Sequence, residues 1–424
     1  MSFPRERESS VVEHESHWVP ACARTTPRFM LRDVIVVGAG PVGATLALAL
    51  ADSELDVVTL DARRSRAAAG GDRSLALSHG ARLIFERLDV WGSVTAAGAV
   101  TPITAIDVSQ RNGFGHLRLD AAEQRLPALG YVVAYRALQA ALDAELARRG
   151  AALRYDSPAT RISATSACAS VEAQQGPDVV ELSSRLVALA DGGSELVPGG
   201  GRRSHDYRQI AIVGKLEPRE PHRGVAFERF TPEGPMALLP EGDRYGLVWT
   251  TTPQRGEALL ALPDAEFLSE LDLRLGSSEN ASAIPGGFER ITERRSFPLR
   301  LEYASRVVSE RCVLLGNAAQ ALHPVAGQGF NLGLRDAYEL AQELLATPRD
   351  AIGSRERLAA YARRRRVDRF SGIAFTHGLL SAFGTDSALA SWPRGLALTL
   401  LDCLPAMKRA FTRAMLFGVH QMLR

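Results

Sequence analysis

Asp33–Arg63 reads DVIVVGAGPVGATLALALADSELDVVTLDAR, and its punctuation decides the fold. The apolar run ahead of Gly38 predicts a buried strand over 33–37. Gly38-Ala-Gly-Pro-Val-Gly43 then fits GxGxxG where that strand must turn into a helix, expected over 41–52. A second strand is expected over 56–60, ending at Asp61, 21 residues beyond Gly40. Each residue type has a physical task. Gly38 permits the tight turn, Gly40 lets the backbone approach a pyrophosphate, and Gly43 lets the helix pack close to the strand. Free amides at the helix N-terminus face the phosphates, and Pro41 lacks an amide where one would go unused. Asp61 is placed to take ribose hydroxyls. A glycine-rich packing turn is the competing reading, but it leaves the ordered strand, helix and acid unexplained.

The motif alone does not separate FAD from NAD. It stands once in the chain, which favours a single, tightly held flavin nucleotide. Val34–Ala51 also runs 18 residues without a charge, long enough to suggest a membrane span. Its glycines and Pro41 break it into strand, turn and helix instead.

Composition excludes other classes. Fifty basic against 48 acidic residues give a net charge of +2, which offers no electrostatic case for nucleic acid. The four cysteines form no CxxC pair and predict no metal site. Residues 1–30 carry Glu6, Glu8, Glu13 and Glu15 and no apolar core, so they resemble neither a secretory signal nor a mitochondrial presequence. They read as a disordered extension or an over-long start.

Further along, YRALQAALDAELARRGA (135–151) has a helical period and ALRY (152–155) reads as a strand. VVELSSRLVALADGG reads as two short strands ending on Asp191-Gly192. Between 205 and 300, short apolar runs separated by Pro and Gly predict an antiparallel sheet. After RCVLLGN the chain reads as helical.

GDRSLALS (71–78), VAFERFTPEGPMALLP (225–240), RRSFPL (294–299) and LLGNAAQALHPVAGQGFNLGLRDA (314–337) follow the glycine motif in order. Together they resemble the FAD-dependent aromatic hydroxylases, the class related to p-hydroxybenzoate hydroxylase. Within that class they resemble the ubiquinone-biosynthesis branch, the 2-polyprenyl-6-methoxyphenol hydroxylases. The resemblance runs from about residue 33 to beyond 370. It implies an α/β fold: a Rossmann-like FAD-binding domain (31–107, 130–192 and 296–350) interrupted by a mostly antiparallel β-sheet substrate domain (108–129 and 193–295). A helical C-terminal region (351–424) follows.

The same resemblance implies roles for particular residues. Arg73 would reach the flavin side of the cofactor, and Arg136 its phosphate or ribose; Gln139, one turn on, either adds a polar contact or faces solvent. Asp191 and Gly192 correspond to a DG motif tied to the pyrophosphate, but the glycine-rich sequence after them departs from the family pattern, and the nicotinamide contact is not carried over. Gly316 and Asn317 stand where many relatives have Gly-Asp. Asparagine keeps one acceptor and adds a donor, so Asn317 reads as a branch marker that retains the cofactor. Pro324, Gly327 and Gln328 would form the face against the flavin ring and substrate, with Gly329 and Asn331 on the helix that follows. The positive end of that helix would stabilise an anionic reduced flavin by about 0.5–2 kcal/mol. His323 reads as a histidine satisfied by backbone, and no acid or base is assigned.

The expected reaction is ring hydroxylation of a polyprenylated phenol through a flavin C4a-hydroperoxide, with FAD as cofactor, NADH or NADPH as reductant and O2 as co-substrate. Alternatives are a non-catalytic flavoprotein-fold subunit of a quinone-biosynthesis assembly, or a related flavin-dependent reductase. The halogenase WxWxIP motif is absent from the sequence. Location is expected to be cytoplasmic, with peripheral membrane contact left open. The run Arg363–Arg366 reads as a solvated helix face, and Leu396, Leu400, Leu404 and Met407 as a helix packed on the core or a lipid-facing lip around a substrate tunnel.

Overall fold

The computed structural model describes residues 31–65, 73–111, 113–193, 196, 201–276, 287–383 and 388–418. The expectations for residues 1–30, and for most of the glycine-rich segment after Gly193, lie outside these.

The strand Arg32–Val37 runs between two parallel neighbours, Val57–Leu60 and Asp178–Leu189, with Cys312–Leu314 and Ala152–Arg154 further out. Parallel strands of this kind are buried on both faces, which is why Val34, Ile35 and Val36 are all apolar and all fully buried. Helix Pro41–Leu50 follows the glycine turn and packs Leu46 and Leu50 onto Val34, Val36 and the helix Gln328–Leu345.

Asp178–Leu189 is one 12-residue strand where two were expected. Its first half pairs antiparallel with Ala169–Gln175, and its second half pairs parallel with Arg32–Val37. The two textures of the sequence are two sets of neighbours along one strand.

The second sheet orders its eight strands as Gln320–Ala321, Phe288–Ala304, Arg202–Pro218, Arg244–Thr251, Gly234–Glu241, Val225–Thr231, Ala105–Gln110 and His116–Asp120. Every pair is antiparallel except Val225–Thr231 with Ala105–Gln110. Ser74–Ser78, Gly130–Ala134 and Val100–Ile103 form a small third sheet. The chain closes with helices Arg355–Phe383, Ala388–Cys403 and Pro405–Phe417.

One expectation about a helix face needs correction. Gln328–Leu345 buries Arg335, Asp336 and Glu339 as well as its apolar residues, and these set up the difference. In the run Arg363–Arg366, Arg365 is buried while its three neighbours are exposed. It pairs with Asp336, Glu339 and Asp368 and ties Arg355–Phe383 to Gln328–Leu345. No helix among the described residues is long and apolar enough to cross a membrane.

Candidate functional site

The glycine turn is built by close approach. Gly38 has φ +95°, and a Cβ there would lie 2.7 Å from the Asp191 backbone. A Cβ on Gly43 would lie 1.9 Å from the Gly38 carbonyl oxygen. Gly40 is different: a Cβ there would meet nothing within 4 Å. The motif therefore closes around Gly38 and Gly43 and leaves open space at Gly40, where a pyrophosphate must approach the helix N-terminus.

Asp61 is buried behind this turn. One carboxylate oxygen accepts from the Ala39 N–H at 2.6 Å, and the other accepts from the Arg63 N–H and Nε at 2.7 and 2.9 Å. A carboxylate offers about four acceptor positions, so one is left for a ribose hydroxyl. Sequence reading missed Arg63, whose guanidinium also reaches Asp143 at 3.0 Å and the Ala39 carbonyl at 3.1 Å. Gln139 is fully buried, not solvent-facing, and its amide donates to the Ala39 carbonyl and to Asp143. The peptide at Ala39, the middle of the glycine motif, is thus held at both its N–H and its C=O.

Arg73 meets Tyr135, the residue just before Arg136, at the start of the helix Tyr135–Arg148. The Tyr135 N–H donates to the Arg73 carbonyl at 2.8 Å, and the Arg73 guanidinium lies 4.6 Å from the Tyr135 ring centre. Asp191 accepts from the Gly193 N–H at 3.0 Å. Desolvation within the turn raises its carboxyl above the usual value, although much of the side chain stays exposed. Gly192 follows with φ +87°.

Gly316, Asn317 and the segment after them approach from the other side. Gly316 packs on Val42 and Gly333, while Asn317 is exposed between buried neighbours. Gly327, with φ +59°, starts the helix Gln328–Leu345. Asn317, Pro324, Gly327, Gln328, Gly329 and Asn331 all line one cavity of about 610 Å³. The amides of a helix's first turn have no partners within the helix, so their positive end faces this space.

Asn331 has a further task. Its amide donates to the carbonyls of Ala76 and Gly327 and accepts from the Ser78 N–H. It fastens the strand Ser74–Ser78 to the helix, which leaves little of the amide for a ligand. His323 also lines the cavity. Its Nδ1 accepts from the Val325 N–H at 3.2 Å, and burial lowers the imidazole to about 4. The neutral ring therefore carries its hydrogen on Nε2, a buried nitrogen without a hydrogen-bond partner among the described residues.

Residues 32–369 match the family described as FAD binding domain. The chain belongs to that family. It is 36% identical to the ubiquinone hydroxylase UbiL of Rhodospirillum rubrum over 90% of this chain and 88% of that one. It is 30% identical to the 3-demethoxyubiquinol 3-hydroxylase of Escherichia coli over 89% of this chain and 96% of that one. Among solved structures, the p-nitrophenol 4-monooxygenase PnpA of Pseudomonas putida superposes with a TM-score of 0.71 over 91% of this chain and 97% of that one, at 17% identity.

The residues present fit the family's cofactor. FAD requires an open phosphate approach at a helix N-terminus, a ribose acceptor and a second dipole end near the ring. Gly40, Asp61 and the turn at Gly327 have the geometry that would supply these in order. Among the described residues there is no cluster suited to a metal ion.

Proposed function

We propose that this FAD-family protein is a monooxygenase that hydroxylates the ring of a polyprenylated phenol in ubiquinone biosynthesis, with NADH or NADPH as reductant and O2 as co-substrate. The observation that carries this reading is the large cavity beside Pro324 and Gly327, walled mainly by apolar side chains. When bound, FAD supplies the redox chemistry and activates O2 for transfer to an electron-rich ring.

The chain's own residues do the rest. Gly38 to Gly43 and the held Ala39 peptide orient the pyrophosphate, with Asp61, Arg73 and Arg136 around the nucleotide. The amides at Gln328 and Gly329 present positive charge where negative charge develops, without having to reorganise. Pro324 and Gly327 form the floor on which a phenol ring would lie. Ile106, Val108, Leu119 and Leu239 wall the space opposite and exclude water, which suppresses wasteful release of peroxide.

The tail of the substrate needs an apolar entrance. Leu398 and Leu401 of helix Ala388–Cys403 line the cavity, while Trp392, Leu396 and Leu400 project outward. Trp392 is 70% exposed and Met407, on the next helix, 57%. Packing on the core does not account for this outer stripe. We read it as a lip that rests on a membrane surface and passes the polyprenyl chain inward. Flotation with phospholipid vesicles tests this: the Leu400→Glu/Met407→Glu double variant should lose most vesicle binding, and equal flotation of wild type and variant would exclude the lip.

For the reaction itself, anaerobic mixing with a 2-polyprenylphenol should accelerate flavin reduction by NAD(P)H, and air should then yield the ring-hydroxylated phenol. Uncoupled peroxide with every phenol would remove the hydroxylase reading. A protein without flavin bands after FAD reconstitution would instead favour a non-catalytic role in a quinone-biosynthesis assembly.

A further inference from the structure

In the strand Val225–Thr231, Phe227 packs against Trp249 and Tyr245 and also borders the cavity, which Ala226, Glu228 and Phe230 line beside it. Glu228 lies between Val108 on one neighbouring strand and Ala237 on the other, both cavity-lining and apolar. A carboxyl therefore stands where the pleat calls for an apolar side chain. Its Oε1 is buried without a hydrogen-bond partner, and no ion pair reaches it among the described residues. The residue is half-buried and lines the cavity.

Such a placement costs desolvation and returns no pairing energy. Stability does not explain it. Burial alone raises this carboxyl to about 8, close to the pH at which a general base works best. The other titratable groups on the cavity wall are His323 and Arg394. His323 uses Nδ1 as an acceptor and offers only an N–H, and a guanidinium cannot accept a proton.

We propose that Glu228 accepts the phenolic proton of the substrate, an assignment that rests on reading the cavity as a phenol site. The phenol O–H bond breaks and the proton moves to a Glu228 carboxylate oxygen. The electron pair stays on the phenol oxygen and enriches the ring for attack on activated oxygen. Glu228 returns the proton to solvent after product leaves. No other reactant is needed for this step.

The test uses the full chain reconstituted with FAD, titrated with 2-prenylphenol and, separately, its O-methyl ether between pH 6 and 10. Wild type should show the ultraviolet band of bound phenolate well below the pH, about 10, at which a free phenol ionises. Glu228→Gln should lose that band and hydroxylate roughly 10²-fold or more slowly, with unchanged flavin content and unchanged affinity for the methyl ether. Glu228→Asp keeps a carboxyl and should retain the band at reduced rate. A Gln variant with a wild-type band and rate, or Gln and Asp variants that behave alike, would overturn the assignment. A wild type that binds the methyl ether and hydroxylates 2-prenylphenol without a phenolate band removes the assignment and leaves the hydroxylase reading intact. A wild type that binds neither probe removes both.

Discussion

Replacing Arg365 should cost far more stability than replacing its neighbour Arg364. Arg365 is 2% exposed and donates from Nε to Asp336 at 2.7 Å, from Nη1 to Glu339 at 2.6 Å and from Nη2 to Asp368 at 2.7 Å. Arg365→Ala leaves three buried carboxylates. Asp368 keeps Arg335 at 3.0 Å, and Asp336 keeps the Gln320 amide at 2.9 Å. Removing one member of a buried ion pair costs about 3–5 kcal/mol, chiefly because the remaining charge is stranded. One cation serving three anions places Arg365→Ala in that range. Arg364 is exposed and pairs with Glu343 at 3.0 Å, a surface bridge worth about 0–1 kcal/mol. Urea denaturation at 25 °C, followed by tryptophan and flavin fluorescence, would measure both. Because the network braces the helix whose first turn lines the cavity, Arg365→Ala should also weaken FAD retention. A difference of less than about 1 kcal/mol between the variants would refute the claim that this network supports the fold.

Three other outcomes follow from the same geometry. Gly43→Ala should abolish FAD loading because its Cβ would collide with the Gly38 carbonyl, whereas Gly40→Ala should fold normally and bind FAD more weakly; flavin content per chain separates them. Asn317→Asp should retain FAD, since the side chain is exposed at the cavity wall and no buried partner among the described residues depends on its NH₂; loss of the flavin spectrum would contradict this. Glu228→Gln should flatten a pH dependence of stability. The folded-state carboxyl is raised from 4.5 to about 8, so the folded chain holds a proton that the unfolded chain has lost. Wild type should therefore lose stability relative to the variant as pH rises from 4.5 to 8, by up to about 1.4 kcal/mol per pH unit, with no further divergence outside that window. Parallel denaturation curves at pH 5, 6.5, 8 and 9 read this directly.

The sequence by itself determined the nucleotide-binding unit, because its physics is local. A strand, a glycine turn and a helix leave periodic and compositional traces within 31 residues, and Gly38, Gly40 and Gly43 stand in the fold where their residue types require. The turn at Gly327 and the helix after it were legible for the same reason. Local pattern cannot say which neighbours a strand finds, so VVELSSRLVAL looked like two strands when it is one strand with two sets of partners. Nor can it price a charge. Arg365 reads like Arg363 and Arg364 until Asp336, Glu339 and Asp368 close around it. Arg63 likewise gains its meaning only when Asp143, 80 residues away, arrives beside Asp61. Leu400 and Met407 read as core or as an outer lip, because helical spacing cannot tell an inner face from an outer one; in the fold both are exposed. Glu228 shows the limit most clearly. In VAFERFT it is one charge beside another, and only the assembled sheet turns Arg229 to one face and Glu228 into an apolar cavity, where solvation, a property of the whole fold, sets its chemistry.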